Sequence, residues 1–142
     1  MTPKQIMDHG LNEGEDCFAI ATIVRTAGTT SAKPGAKALM REDGTILEGW
    51  LGGGCVRGAI KNATLRAYET GKPQFISVAP EEELTKKGVR AGDDVDGVHF
   101  TRNGCPSKGT IDIFIEPFIP TPDLMIFGES PVAEKLIELA AQ

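Results

Sequence analysis

The sequence predicts a mixed α/β fold, with a single compact domain followed by one strand and one helix. Short apolar runs bounded by turn residues predict the strands, and one longer segment with apolar residues at helical spacing predicts a helix. The order of these elements along the chain is mixed, which is typical of the α/β classes. The 142 residues suit one domain of ordinary size with a sizeable core.

The first third of the chain is predicted to contain one helix and three strands. Thr2 and Pro3 favour the start of a helix that reaches about Glu13. The next segment, 17–24, is nearly all apolar and predicts a strand buried on both faces. Two further strands are predicted at 36–41 and 45–50, joined as a hairpin.

The middle of the chain is predicted to contain the main helix and the strongest strand. Residues 56–69 have apolar positions near helical period, and Gly71 and Pro73 end that helix in the expected order. The acidic segment at 80–96 predicts an exposed loop that can contain a helical turn. Strands are predicted at 74–78, from 99 to 101, and at 110–118.

A stiff Pro-Thr-Pro segment at 120–122 predicts a boundary between residues 1–120 and residues 121–142. Beyond it, an apolar run at 124–128 predicts a buried strand, and Ser130-Pro131 opens a predicted helix at 132–141. The glycine pattern between them resembles a dinucleotide-binding fingerprint. Because Ser130 replaces its second glycine and no second strand follows, we expect no dinucleotide binding by this chain.

Charge and cysteine content narrow the functional classes. A net charge of −5 and a pI near 5.0 argue against general affinity for nucleic acid or an anionic membrane. No apolar stretch approaches the roughly 20 residues that cross a bilayer, and no secretory signal opens the chain. Three widely spaced cysteines do not form a disulfide framework, which favours a reducing, cytoplasmic location.

The first candidate site is a glycine run, Gly52, Gly53 and Gly54, placed between a predicted strand and the main helix. Free N–H groups at a helix N-terminus bind anions such as phosphate, and glycines let a ligand approach the backbone. Cys55 follows, where the helix dipole favours the thiolate, so it is a candidate to ligate a soft metal or carry sulfur. From the spacing alone, a tight turn with a small buried cysteine is slightly favoured.

Two other loops carry candidate residues. The loop at 28–37 offers hydroxyls, amides and lysines, including Thr29 and Lys37, which suit either a phosphate group or solvent. The loop at 103–109 carries a second thiol, Cys105, although an ordinary turn is commoner there. The sequence leaves open whether Cys55 and Cys105 meet. Cys17 begins an apolar strand and is assigned to the core.

Together these segments resemble the XdhC/CoxI family, accessory proteins of xanthine dehydrogenase and carbon monoxide dehydrogenase. The resemblance extends from about Glu15 to Pro120 and depends on the order of three blocks. These blocks are 21–26 with 28–30 and 34–37, then Gly53-Gly54-Cys55-Val56, then Cys105-Pro106-Ser107 with 109–110 and 115–117. Residues 124–141 resemble the opening strand and helix of the family's C-terminal Rossmann-like domain.

The resemblance implies a maturation chaperone more than an enzyme. It would bind molybdenum cofactor transiently, assist its sulfuration and insert it into a molybdenum hydroxylase such as xanthine dehydrogenase. The implied cofactor-binding residues are Gly52, Gly53, Gly54, Cys55, Arg57, Lys37, Thr29 and Ser107. Cys55 is the first candidate for contact with molybdenum or its sulfur, and Cys105 is the second.

Partners follow from the same resemblance. They are the molybdenum hydroxylase, a cysteine desulfurase, a separate Rossmann-like subunit and a second copy of the chain in a homodimer. Two departures concern the site: Arg57 stands where the family commonly has glutamate, and 31–33 lacks a Pro-Arg pattern. Two alternatives stay open, a sulfur-carrying transferase that uses Cys55 and Cys105, and a partner subunit that binds no cofactor.

Overall fold

The computed structural model describes residues 4, 5, 8, 17–106, 108–120 and 124–141. Its strands are β1 (Phe18–Ala27), β2 (Lys37–Arg41), β3 (Ile46–Gly49), β4 (Gln74–Ala79), β5 (Asp94–Val95), β6 (Val98–Arg102) and β7 (Thr110–Phe118). Its helices within these ranges are α1 (Gly54–Thr70), α2 (Glu81–Lys86) and α3 (Pro131–Ala140).

All seven of these strands form one sheet in the order β3-β2-β1-β7-β4-β6-β5. The long strands β1 and β7 lie at its centre and run antiparallel to each other. One pair, β4 with β6, is parallel, and every other pair is antiparallel. A mixed sheet with helices packed on it confirms the predicted α/β class.

Helix α1 packs across one face of the sheet and forms the main core with it. The buried residues of α1 recur at helical spacing: Val56, Ala59, Ile60, Ala63, Thr64 and Ala67. They meet the sheet residues Ala19, Ala21 and Ile23 of β1 and Ile111, Ile113 and Ile115 of β7. Alternate residues of a strand point to opposite faces, so the intervening side chains of β1 and β7 lie on the other side.

The opposite face of the sheet is covered less completely. The rings of Phe18 and Phe118 stack there with their centroids 4.9 Å apart. Asp112, almost fully buried, accepts hydrogen bonds from Ser77 Oγ at 2.6 Å and from Arg25 Nε at 2.6 Å. This network satisfies a carboxylate that would be costly to bury alone.

Most predicted elements are confirmed to within a few residues. The hairpin of β2 and β3 turns at Gly44, whose φ of 79° favours glycine, and α1 ends at the left-handed Gly71. The segment predicted as an exposed acidic loop contains both α2 and the short strand β5. In the predicted first helix, only residues 4, 5 and 8 are described and they are helical; the rest lies outside the described residues.

The predicted buried strand at 124–128 is wrong. This segment has no regular structure, and Phe127 is 89% exposed. A strand needs a neighbour to accept its backbone hydrogen bonds, and none of the described strands pairs with it. Helix α3 is confirmed, with Ser130 Oγ accepting from Ala133 N at its start, but only Ala133 of this helix is buried. Among the described helices, none is long and apolar enough to cross a membrane.

Candidate functional site

Several strand ends meet at one edge of the sheet. Ala27, the last residue of β1, pairs with Thr110, the first residue of β7. Ala79 at the end of β4 pairs with Arg102 at the end of β6. The loops that leave β1 and β6 therefore emerge side by side, and these are the loops in which the sequence predicted functional residues.

The two loops are in direct contact. Thr29 and Lys108 form an isolated parallel bridge between them. A Cβ atom placed on Gly109 would lie 2.5 Å from the backbone oxygen of Thr29 and 2.4 Å from Thr30 Cγ2. Real Cβ atoms do not approach a backbone oxygen that closely, so glycine is required for the loops to pack in this way.

Asn103 shapes the loop that carries Cys105. Its buried side chain donates to the carbonyl oxygen of Gly109 at 2.6 Å, and its Oδ1 accepts from the N–H of Cys105 at 3.0 Å. Its own N–H donates to Ala79 O at 2.7 Å, which fixes the start of the loop to β4. Sequence reasoning did not single out Asn103, although asparagine before glycine is a common signal for this side-chain turn.

The N-terminus of α1 is open. Its N-cap residue, Gly53, offers no side chain to cap the helix, and the first turn contains no acidic residue. A Cβ on Gly53 or Gly54 would meet nothing within 4 Å. Gly52 differs, because its φ of 139° favours glycine and an added Cβ would lie 3.3 Å from Val56. The positive φ and the contact with Val56 thus explain why residue 52 is glycine. No contact within the chain explains the glycines at 53 and 54, and both residues are exposed.

Cys55 and Cys105 lie against each other at this open N-terminus. The thiol and the backbone N–H of Cys55 both lie close enough to the Cys105 sulfur to affect its pKa. A Cβ on the adjoining Gly104 would lie 3.7 Å from Cys55 Sγ. Both thiols are free; Cys55 is exposed and Cys105 is half-buried. The structure thus brings together the two thiols whose proximity the sequence left open.

The contact with Cys55 changes the acidity of the Cys105 thiol. The hydrogen bond with the Cys55 thiol raises the pKa of Cys105, and loss of water around the sulfur raises it further. The N–H of Cys55 opposes these effects in part. A second negative charge on neighbouring sulfurs is disfavoured, so Cys105 keeps its proton to a higher pH than an ordinary cysteine.

The remaining predicted residues fall into three groups. Thr29 and Arg57 are exposed and lie near the pair, one on the adjoining loop and the other in the first turn of α1. Lys37 does not join them: its Nζ donates to Thr22 Oγ1 at 2.7 Å, on the face of the sheet opposite α1. Ser107 lies outside the described residues.

Two cavities lie near the loops and the helix that carry the thiols, and one of them is lined by a thiol. One, of about 280 Å³, is lined by Cys105, by the ion pair of Glu82 with Lys108 at 2.9 Å, and by Arg102. The other, of about 580 Å³, lies between β3 and α1 and is lined by Arg57, Lys61 and the residues of β3, with neither thiol among its lining residues. In the part of the chain that the structure describes, no three His, Cys, Asp or Glu side chains are grouped to hold a metal ion.

Comparison with known proteins identifies the relatives of this chain. Residues 11–79 match the sequence model of the XdhC and CoxI family, a span that includes Cys55 and ends before Cys105. A search of curated proteins found no match. The fold is similar to that of a solved Bacillus halodurans protein described as a xanthine dehydrogenase, with a TM-score of 0.56 and 24% identity. The likeness covers 82% of this chain and 30% of that protein.

Proposed function

We propose that this chain, which belongs to the XdhC and CoxI family, holds molybdenum cofactor for delivery to a molybdenum hydroxylase. Family membership supports the accessory role for a molybdenum hydroxylase. One structural observation carries the more specific proposal of cofactor binding: Cys55 and Cys105 meet at the open N-terminus of α1. Phosphate-binding amides and soft sulfur ligands are thereby available in one place.

The donor groups match the chemistry of the cofactor. Molybdopterin carries a phosphate, which suits the N–H groups at the start of α1, where Gly53 and Gly54 leave room for a ligand. Thiolates are soft ligands, so the exposed Cys55 suits molybdenum or its sulfur, and Cys105 stands behind it. When bound, the cofactor supplies the redox-active metal, and the role of this chain is to hold and orient it.

Of the other residues predicted to bind the cofactor, some support this proposal and some do not. Arg57 adds a positive charge in the first turn of α1, which favours an anionic ligand. Thr29 offers a hydroxyl from the neighbouring loop. Lys37 lies on the other face of the sheet and Gly52 serves the turn itself, so neither is part of the proposed contact set. Ser107 stays a prediction.

The partners belong to the same proposal. The chain spans about 30% of the length of the solved protein it resembles, so the target enzyme, the cysteine desulfurase and a Rossmann-like subunit are inferred from the family. Leu124, Met125 and Phe127 are all more than half exposed, which favours an apolar surface that a subunit or second copy covers. None of the three cysteines forms a disulfide, which is compatible with the proposed cytoplasmic location.

The test is the molybdenum and pterin content of protein purified anaerobically from a host that makes the cofactor. We expect near-stoichiometric metal and pterin in the wild type and strong loss in Cys55→Ser. Cys17→Ser is the matched control, because Cys17 precedes the opposite end of β1 and its loss should leave retention unchanged. Circular dichroism verifies that all three proteins are folded.

Two results would contradict the proposal. Equal retention in the wild type and Cys55→Ser would remove Cys55 from the site. Absence of pterin from every folded protein would favour the alternative that the chain is a partner subunit binding no cofactor.

A further inference from the structure

We propose that Cys55 and Cys105 form a sulfur-exchange pair, in which Cys55 accepts a sulfane sulfur from a persulfide and Cys105 displaces it as sulfide. The choice of a persulfide as the donor rests on the proposed function, since the cofactor's sulfuration needs a source of sulfur. The exchange chemistry itself is argued from the two thiols and requires no bound cofactor.

The positions of the two thiols assign their roles. Cys55 is exposed at the start of α1, where a donor can reach it. Cys105 is half-buried behind it, on a loop fixed by the two side-chain hydrogen bonds of Asn103. An exposed attacking thiol beside a less accessible second thiol is the arrangement that thiol–disulfide exchange uses.

In the first step, the Cys55 thiolate attacks the terminal sulfur of a persulfide R–S–SH. A bond forms between Cys55 Sγ and that sulfur, the donor's S–S bond breaks, and R–S⁻ leaves. The products are a Cys55 persulfide and the donor thiolate, so atoms and electrons balance. This is ordinary attack of a thiolate on divalent sulfur.

In the second step, Cys105 loses its proton to solvent and attacks Cys55 Sγ. The bond from Cys55 Sγ to the outer sulfur breaks and hydrosulfide leaves, which yields a Cys55–Cys105 disulfide. Two thiols are oxidised and the sulfane sulfur is reduced to sulfide. A dithiol reductant then returns the pair to two thiols and becomes a disulfide itself.

The interaction between the thiols sets the order of the steps. The hydrogen bond with the Cys55 thiol raises the pKa of Cys105, so before the first step the second thiol keeps its proton to a higher pH than an ordinary cysteine. Once Cys55 Sγ is bonded to the incoming sulfur, it is a neutral divalent sulfur and this cause of the raised pKa is lost. Cys105 can then ionise and attack, so the resolving thiol is activated by completion of the first step.

A structural metal site accounts for the pair less well. Such sites generally use four protein ligands, and the described residues offer no group of three His, Cys, Asp or Glu side chains for a metal ion. Two contacting thiols are, in contrast, sufficient for disulfide chemistry. Covalent sulfur exchange therefore uses the groups that this site has.

The experiment treats reduced, cofactor-free full-length protein with glutathione persulfide and measures released sulfide and intact mass. The wild type and Cys17→Ser should each release about one sulfide per chain, set by the stoichiometry of exchange, and lose two hydrogens on forming the disulfide. Cys105→Ser should retain one added sulfur on Cys55 and release none. Cys55→Ser should neither retain sulfur at position 55 nor release sulfide.

Three results would overturn the inference. The first is sulfide release by Cys105→Ser at the wild-type rate. The second is a wild type that keeps the added sulfur without forming the disulfide. The third is oxidation of the pair by glutathione disulfide as fast as by the persulfide, which would make it a general disulfide exchanger. Because no cofactor is present, these outcomes are separate from the retention test, and either proposal can fail alone.

Discussion

Replacing Asn103 with alanine should loosen the loop that carries Cys105 and lower the free energy of unfolding by about 2–4 kcal/mol. The side chain is 6% exposed and makes two hydrogen bonds, one to Gly109 O at 2.6 Å and one from Cys105 N at 3.0 Å. Each such bond contributes about 0.5–1.5 kcal/mol net, and a buried group left without a partner costs about 1–3 kcal/mol. Gly109 is buried, so its carbonyl carries most of that cost.

The assay is urea denaturation, with a shift of the midpoint at an unchanged slope as the signature of lost stability. Asn62→Ala is the matched control, because Asn62 is exposed on α1 and the same replacement there should change stability by no more than about 0.7 kcal/mol. Asn103→Asp separates the two bonds, since aspartate can still accept from Cys105 N but cannot donate to Gly109 O.

A second readout connects the loop to the site. Because the contact with Cys55 is the largest cause of the raised pKa of Cys105, a loosened loop should lower that pKa towards its ordinary value. Thiolate absorbance against pH measures this shift. If Asn103→Ala unfolds at the same urea concentration as Asn62→Ala and the Cys105 titration does not move, the loop is held by other contacts and the reasoning is refuted.

Two further substitutions test the packing and charge of the same site. Gly109→Ala places a Cβ 2.5 Å from Thr29 O and should destabilise by about 1–3 kcal/mol in the same denaturation assay. Gly104→Ala is the control, because its added Cβ would lie at an ordinary contact distance of 3.7 Å from Cys55 Sγ. Equal losses of stability in the two variants would contradict the steric argument. Cys55→Ser removes the largest cause of the raised pKa of Cys105, so Cys105 should react with iodoacetamide at lower pH than in the wild type. An unchanged or higher pH for that reaction, followed by peptide mass, would count against the proposed thiol contact.

The fold was predictable where the signal is local. The apolar spacing of α1 and its glycine end specify a helix without reference to the rest of the chain, and β7 was predicted with its observed bounds. The segment at 124–128 shows the limit of this reasoning. Its apolar run satisfies the pattern of a buried strand, but strand formation depends on a neighbour's hydrogen bonds, and sequence pattern does not report whether a neighbour exists.

The candidate site was also predictable only where the sequence signal is local. A glycine run before a helix is a local signal, and it placed Cys55 at the helix N-terminus, as observed. The buried cysteine that the spacing slightly favoured is wrong, because Cys55 is exposed. Contact between Cys55 and Cys105 depends on the sheet order, which places β7 beside both β1 and β4 and so aligns loops that are far apart in sequence. No local pattern encodes that order, so the proximity of the thiols required the structure.

For Lys37, the alternation of side chains along a strand argues against the predicted role in the site. Side chains alternate along a strand, and the small apolar Ala38 and the apolar Met40 belong to the core beneath α1. Lys37 must then point to the opposite face, where its Nζ meets Thr22, and it is separated from the thiols by the sheet itself. The proposed anion binding at the thiol pair therefore rests on the amides of Gly53 and Gly54 and on the charge of Arg57. Of the side chains proposed for the site, Arg57 bears most directly on the charge of the ligand.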